Sequence, residues 1–333
     1  MKVDLAIAGQ GALTPAGVGV EALFLKAPKP HLTATLGEPK REFPVLRVDL
    51  KDAAFARWQN EPRLRRVSPI TFFMVEAAAQ ALAGMAAGDR AQTGLIVALS
   101  AGCLLYSRRF FEGILKNGRR AASPALFPET VFNSPGSHVA SVLGLNGAVY
   151  AMCGDESAWV GALKTAAVWL RRGRVRQVIV MGVEEFDPLA LDAYRCARWL
   201  KRPGFLASEG AAALLVRAAR PDDALVIAEA HEAPPYRSSA EARFAARELF
   251  TGIDEEILCH RSARNTWAEA LEAEATEGRP EFSAAPPPYL GLAFTASAAW
   301  ETIRAARTLA APRGLVPIWG LNHRFGRLDL TRR

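Results

Sequence analysis

Residues 137–186 read SHVASVLGLNGAVYAMCGDESAWVGALKTAAVWLRRGRVRQVIVMGVEEF, and this stretch restricts the fold more than any other. Two apolar runs, AVYAM and VIVMGV, carry no polar face, which is the pattern of strands covered on both sides. Between them the spacing predicts a helix from about residue 155 to residue 172. Its Ala, Leu, Val and Trp lie nearly all round, so the helix is buried rather than amphipathic. Asn146-Gly147 supplies the turn before the first run. Gly173 ends the helix, and Arg171 and Arg172 sit in its last turn, where cations suit the negative end of the dipole. A strand–helix–strand unit without a solvent face belongs inside an α/β protein.

The rest of the chain keeps the alternation. Val3 to Ala8 reads as a short buried strand. Residues 26–62 are loop-rich, with Pro28, Pro30, Pro39, Pro44 and Pro62. Phe72, Val75, Ala79 and Leu82 recur at helical spacing. GLIVALS, residues 94–100, is a buried strand, followed by a helical stretch at 105–117 and a proline-bearing loop at 121–135. In the second half, GAAALLVRAA, ALVIAEAHEA, EILCHR, YLGLAF, VPIWGL and RLDL read as strands. SAEARFAARELF, NTWAEALEAEA and SAAWETIRAARTLA read as helices. Strands alternating with helices predict a mostly parallel sheet. A weak two-fold echo runs through the 333 residues, a length that fits two domains or one pseudo-duplicated domain.

Lys and Arg number 41 against 34 Asp and Glu, a net charge of +7. The cations are spread along the chain, without a basic tail or an aromatic-interleaved basic motif, so nucleic acid is not the expected partner. A basic face suits an acidic protein or carrier equally well. No run of about 18 apolar residues lacks a charge, which argues against a membrane span. Asp4 and the early glycines argue against a signal peptide. Cys103, Cys153, Cys196 and Cys259 show no C-x-x-C spacing, so no zinc knuckle or thioredoxin motif is expected, and a cytoplasmic location is.

Two short motifs fail on geometry. Gly9-Gln10-Gly11 lacks the third glycine of a dinucleotide fingerprint, having Thr14 there. Ser157 lacks the flanking glycines of an esterase elbow, having Asp155 and Trp159. Cys153 is the stronger candidate. It stands where an apolar strand ends and the buried helix begins, and amide groups at a helix start stabilise a thiolate. The same amides could hold a tetrahedral oxyanion. Against this, Asp155 and Glu156 would raise the pKa of a neighbouring thiol, and a free cysteine is commonly plain core. His260 and His323 are the candidate bases, each set against an ordinary structural histidine. His31, His138 and His231 carry no signal, and the pairs Arg65-Arg66, Arg108-Arg109 and Arg119-Arg120 read as solvated faces.

These residues together resemble a β-ketoacyl synthase of the thiolase fold. The opening AIAGQGALTPAGVGVEALF is similar to that family's first strand and turn. The block from Phe132 to Glu185 resembles the region around its nucleophile, with Cys153 on the cysteine, Gly161 on the helix glycine, and Gly182 and Glu184 on the Gly-x-Glu strand end. GFLASEGAAALLVRAA is similar to the family's Gly-Phe-x-x-Gly-Glu-Gly-Ala strand. The likeness is strong over residues 1–220 and faint beyond. It implies a layered α/β/α/β/α core of two pseudo-duplicated halves, residues 1–210 and 211–333.

The departures fall in the second half. The family's His-Gly-Thr-x-Thr motif is reduced to CHRSARNTW, with His260 at the histidine. The second histidine and the lysine of the family fall on Leu292 and Pro287. The terminal Gly-Phe-Gly-Gly-Thr-Asn loop survives only as NHRFGRLDL, so the resemblance implies oxyanion and acyl-binding roles for Phe325, Gly326 and Phe294. Condensation in such a site needs an acyl-cysteine and two imidazoles on the enolate, and losing one donor of this kind lowers a rate roughly 10²–10³-fold. Acyl transfer onto Cys153 needs less. Two readings follow. One is an enzyme that forms an acyl thioester on Cys153 from an acyl carrier protein or CoA, with no cofactor of its own beyond the carrier's phosphopantetheine. The other is a non-catalytic, chain-length-factor-like partner of an active ketosynthase. Either implies a dimer, homo- or heteromeric, with AVYAM near its interface.

Overall fold

The computed structural model describes residues 1–25, 32–36, 41–281 and 283–333. Pro28, Pro30, His31 and Pro39 lie outside the described residues. The first half supplies strand β1 (Lys2–Thr14), helix α1 (Pro69–Ala81), β2 (Thr93–Leu99), α2 (Leu104–Asn117), α3 (Ser134–Leu143), β3 (Val149–Cys153), α4 (Ala158–Arg171), β4 (Gln177–Glu184), α5 (Pro188–Cys196) and β5 (Gly210–Ala218). The second supplies β6 (Leu225–Glu232), α6 (Ser239–Glu248), β7 (Leu258–Cys259), α7 (Thr266–Ala275), α8 (Phe294–Thr308), β8 (Arg313–Trp319) and β9 (Phe325–Arg332). The strands join in the order β7-β8-β9-β6-β1-β5-β4-β2-β3. A small separate sheet pairs Leu32–Leu36 with Arg41–Leu46 and Ala207–Ser208.

The sheet is mixed rather than mostly parallel. β3, β2 and β4 are parallel neighbours, as are β7 and β8. The central pairings, from β4 across β5, β1, β6 and β9 to β8, are antiparallel. One short connection accounts for part of this: residues 320–324 join β8 to β9, and a link this short cannot make a parallel crossover. β5 and β6 both pair antiparallel with β1, which lies between them. β5 begins at the expected boundary between the halves and pairs with β1 and β4 of the first.

Alternation along each strand builds the layers, because successive side chains point to opposite faces. Ile96 and Ala98 of β2, Val178 and Val180 of β4, and Ala212, Leu214 and Val216 of β5 face α4 and α8. Their neighbours Leu95, Val97, Ile179, Met181, Ala211 and Ala213 face α1 on the other side. In the second half, Val316, Ile318, Leu328 and Leu330 face the same α4 and α8, while Leu315, Trp319 and Phe325 pack against α6 and α7. One sheet therefore folds over two central helices, giving the layer sequence helix, sheet, helix, sheet, helix.

The two central helices are tied together and to the sheet. Trp159 Nε1 of α4 donates to Thr302 Oγ1 of α8 at 2.9 Å. Thr295 Oγ1, in the first turn of α8, donates to Ala98 O at 2.8 Å and accepts from Val183 N at 3.2 Å. Gly182 makes this approach possible: a Cβ there would stand 2.1 Å from Thr295 O. Gly182→Ala must push α8 off the sheet, and overpacking of this kind destabilises by about 1–3 kcal/mol. Gly88→Ala, with open space around it, shifts stability by no more than about 1 kcal/mol, toward greater stability if anything. Denaturant unfolding of the two variants side by side checks this.

Candidate active site

Strand β3 ends at Cys153, and Gly154 N still donates to Leu99 O at 3.0 Å, as if the strand continued. The next residues turn before they coil. Asp155 Oδ1 accepts from Ser157 N at 3.0 Å and from Ser157 Oγ at 2.6 Å. Such local side-chain bonds compete with helix. Helix α4 accordingly begins at Ala158, three residues later than its apolar pattern predicts. Ser157 is the N-cap, and Glu156, immediately before it at the helix mouth, is buried.

The loop between β8 and β9 closes over this mouth. Leu321 N donates to Glu156 Oε2 at 3.1 Å, and Asn322 N donates to Asp155 Oδ2 at 2.7 Å. Gly320 lets the loop come this close, since a Cβ there would stand 2.5 Å from Asp155 Oδ2. Burial pushes the Asp155 carboxyl up, and the bonds from Ser157 and Asn322 only partly offset it. Burial and then the neighbouring Asp155 push Glu156 well above the carboxylate range. Glu156 is seated on a backbone donor, the Leu321 amide.

Beside it lies a cavity of about 20 Å³, lined by Ser262, Arg264, Leu292, Ser297 and Glu301 as well as Glu156. That is room for one water molecule and not for an acyl group. Glu301 is the hub of the cavity's far wall. Its carboxylate accepts from His260 Nε2 at 2.8 Å, from Arg304 Nη1 at 2.5 Å, and from Arg264 Nη2. Burial would raise Glu301, but Arg264 and Arg304, with the His260 bond, outweigh it and hold the group down at about 2. Burial keeps His260 below its ordinary value despite the Glu301 bond, so its ring is neutral.

Several expected site residues stand elsewhere. Cys153 is exposed and three residues short of the helix mouth, and it lines neither this cavity nor those described below. The helix dipole acts on Asp155 and Glu156 instead. Partial burial, then the Glu184 carboxylate, push the Cys153 thiol up rather than down. His260 is fully buried against Glu301, with its backbone N–H on Leu315 O, and does not serve an exposed thiol. Phe325 and Gly326 are strand residues of β9, paired with Trp319 and Ile318. The Phe325 ring stacks with Tyr236 at 4.6 Å, and a Cβ on Gly326 would meet Val160 Cγ2 at 2.6 Å. They supply no oxyanion donor. The amides that do reach the helix mouth belong to Leu321 and Asn322.

His323 is held by Nδ1 on Tyr236 O at 2.8 Å, with a left-handed φ of 78°. It lines a cavity of about 400 Å³ together with Arg202, Tyr236, Trp267 and Asn322. Phe294 opens α8 and packs its ring against Tyr194 and Trp199, which stack on each other. Leu292, at the place of the family's second histidine, is buried in the small cavity's wall, and Pro287 lies in a different, larger one. The sequence reading missed Glu156, Arg264 and Glu301. The signal for Glu156 was available in Gly-Asp-Glu-Ser, a turn composition that delays the helix start.

The N-terminal domain of the beta-ketoacyl synthases matches residues 31–229. The chain belongs to the beta-ketoacyl synthase family. No curated relative matches it. Among solved structures it is similar to the ishigamide ketosynthase/chain length factor, with a TM-score of 0.80 at 19% identity over 99% of both chains. It is similar also to a type II PKS acyl-carrier protein in complex with its ketosynthase, with a TM-score of 0.77 at 14% identity over 100% of both. A beta-ketoacyl synthase from Burkholderia phymatum gives 0.75 at 14%, again over 100% of both. At these identities the likeness establishes the thiolase-type fold. No helix among the described residues is long and apolar enough to cross a membrane.

Thiol chemistry checks the placement of Cys153. Cys153 and Cys196 are exposed, whereas Cys103 and Cys259 are buried. An aromatic disulfide reagent is expected to modify the first two quickly and the others only on unfolding. Below its pKa a thiol reacts tenfold faster per pH unit, so the Cys153 rate should still climb steeply through pH 8. A rate that levels off below pH 7 would show an activated nucleophile.

Proposed function

We propose that the protein is a non-catalytic, chain-length-factor-like partner of an active ketosynthase. The observation that carries this is Glu156. Its buried carboxyl closes the mouth of the central helix, takes the Leu321 amide, and leaves a cavity of about 20 Å³. Acyl transfer needs a nucleophile, a free oxyanion donor and space between them. None of these is left at the helix mouth, while the layers around it are intact.

A surface for the mate supports the reading. β3 is the edge of the sheet among the described residues, and edge strands invite pairing with another chain. Val149 and Tyr150 on this edge are exposed, and Phe111, Leu115, Phe127, Val131 and Phe132 are exposed on α2 and the loop after it, Leu115 by 85% and Phe111 by 60%. Large apolar side chains gathered in this way mark an association surface. The mate would be a ketosynthase with an intact cysteine, loaded by an acyl carrier protein. This chain would shape the complex without a cofactor of its own.

The test has two parts. Mixed with a ketosynthase encoded beside it, the protein should form a one-to-one complex on size exclusion, and Leu115→Asp should weaken that complex about 10–100-fold. Incubated alone with an acyl-CoA, the wild type should gain no mass. A mass gain abolished by Cys153→Ser would restore Cys153 as an acyl acceptor and overturn the proposal. A stable homodimer that refuses every such ketosynthase would also overturn it.

A further inference from the structure

A second cavity, of about 460 Å³, is also lined by Arg264. Its walls are Phe205, Leu206 and the run Pro286, Pro287 and Pro288. The volume is that of a small-molecule site, and the walls are apolar apart from Arg264 and the exposed Glu269 at the rim. Arg264 is the one side chain it shares with the small cavity, and only 5% of that side chain is exposed.

The hydrogen bonds around Arg264 are incomplete. Two buried guanidiniums, Arg264 and Arg304, share the carboxylate of Glu301. Arg264 Nη1 donates to Gly291 O at 2.8 Å and Nη2 to Glu301, but its Nε has no acceptor among the described residues. Arg304 Nε has none either, although Nη2 reaches Ala284 O at 3.1 Å. A buried guanidinium N–H without an acceptor is unfavourable. A carboxylate entering the cavity would supply one.

We propose that this cavity binds an aromatic monocarboxylate, its carboxylate on Arg264 and its ring against Phe205 and the three prolines. Arginine suits the head group, because its planar fork matches a carboxylate. Flat proline and phenyl faces suit the ring. A dianion has no second cation in the lining, and Glu269 at the rim repels one. The inference does not rest on the reading of position 156, since it uses only the larger cavity and the unpartnered Nε of Arg264.

The probe is 2-naphthoate, with 2-naphthamide as its uncharged control, titrated calorimetrically into the intact protein. Naphthoate should bind saturably and at least tenfold more tightly than the amide. Leu206→Trp, which fills the cavity without touching the Glu301 cluster, should abolish the binding. Arg264→Gln, if it folds, should reduce naphthoate to the affinity of the amide. Equal affinity for acid and amide, no saturable binding to the wild type, or an unchanged affinity in Leu206→Trp would each overturn the proposal.

Discussion

The hydrogen bonds from Leu321 and Asn322 to Glu156 and Asp155 tie the loop between β8 and β9 to the start of α4. This contact joins the two halves at the point where their chemistry would meet. The central helix is fixed in depth by Trp159 on Thr302, and α8 is fixed by Thr295 on β2 and β4. With both helices held, the loop has little freedom except to lie on the helix mouth. What it meets there is a pair of carboxyls and not a thiol.

Burial decides what those carboxyls are. Desolvation disfavours their charged forms, and no arginine pairs directly with Glu156. Glu301, equally buried, goes the other way because Arg264 and Arg304 are in contact with it. Two glutamates that both line a cavity of about 20 Å³ are thus shifted in opposite directions, Glu156 up and Glu301 down. The contrast places an unpaired carboxyl and an arginine-paired carboxylate in the lining of one cavity. A synthase built on the same layers would hold a nucleophile and open space between these two groups.

Much of the fold was legible in the sequence. The apolar runs around Leu95 and Val178 are buried strands as expected, and the all-round apolar pattern read from about residue 155 is a central helix. The run around Val149 is a strand but not a covered one: it is an edge, with Val149 and Tyr150 exposed. Most second-half elements fell near their predicted places, except YLGLAF, which forms a 3-10 turn at Pro288–Leu290 and the start of α8 rather than a strand. The site was less legible, for reasons tied to particular residues. An apolar period marks where a helix is covered and is silent on where it begins, so Asp155 and its turn moved the helix mouth from Cys153 to Glu156. α8 was read only as a helix, with nothing to mark its charged residues, yet Glu301 and Arg304 are buried because Glu301 pairs with both Arg304 and Arg264. His260 looked like a base because its neighbour Glu301 is distant in sequence. Phe325 and Gly326 looked like a loop, but β8 and β9 zip up through them.

The central claim is that the functional mouth of this fold lies at residue 156 and that the chain's own carboxyl has closed it. Exposing the wild type to acetyl-CoA and weighing it intact addresses the claim directly. It should gain no mass, whereas one acetyl group mapped by peptide analysis to Cys153 would contradict the account.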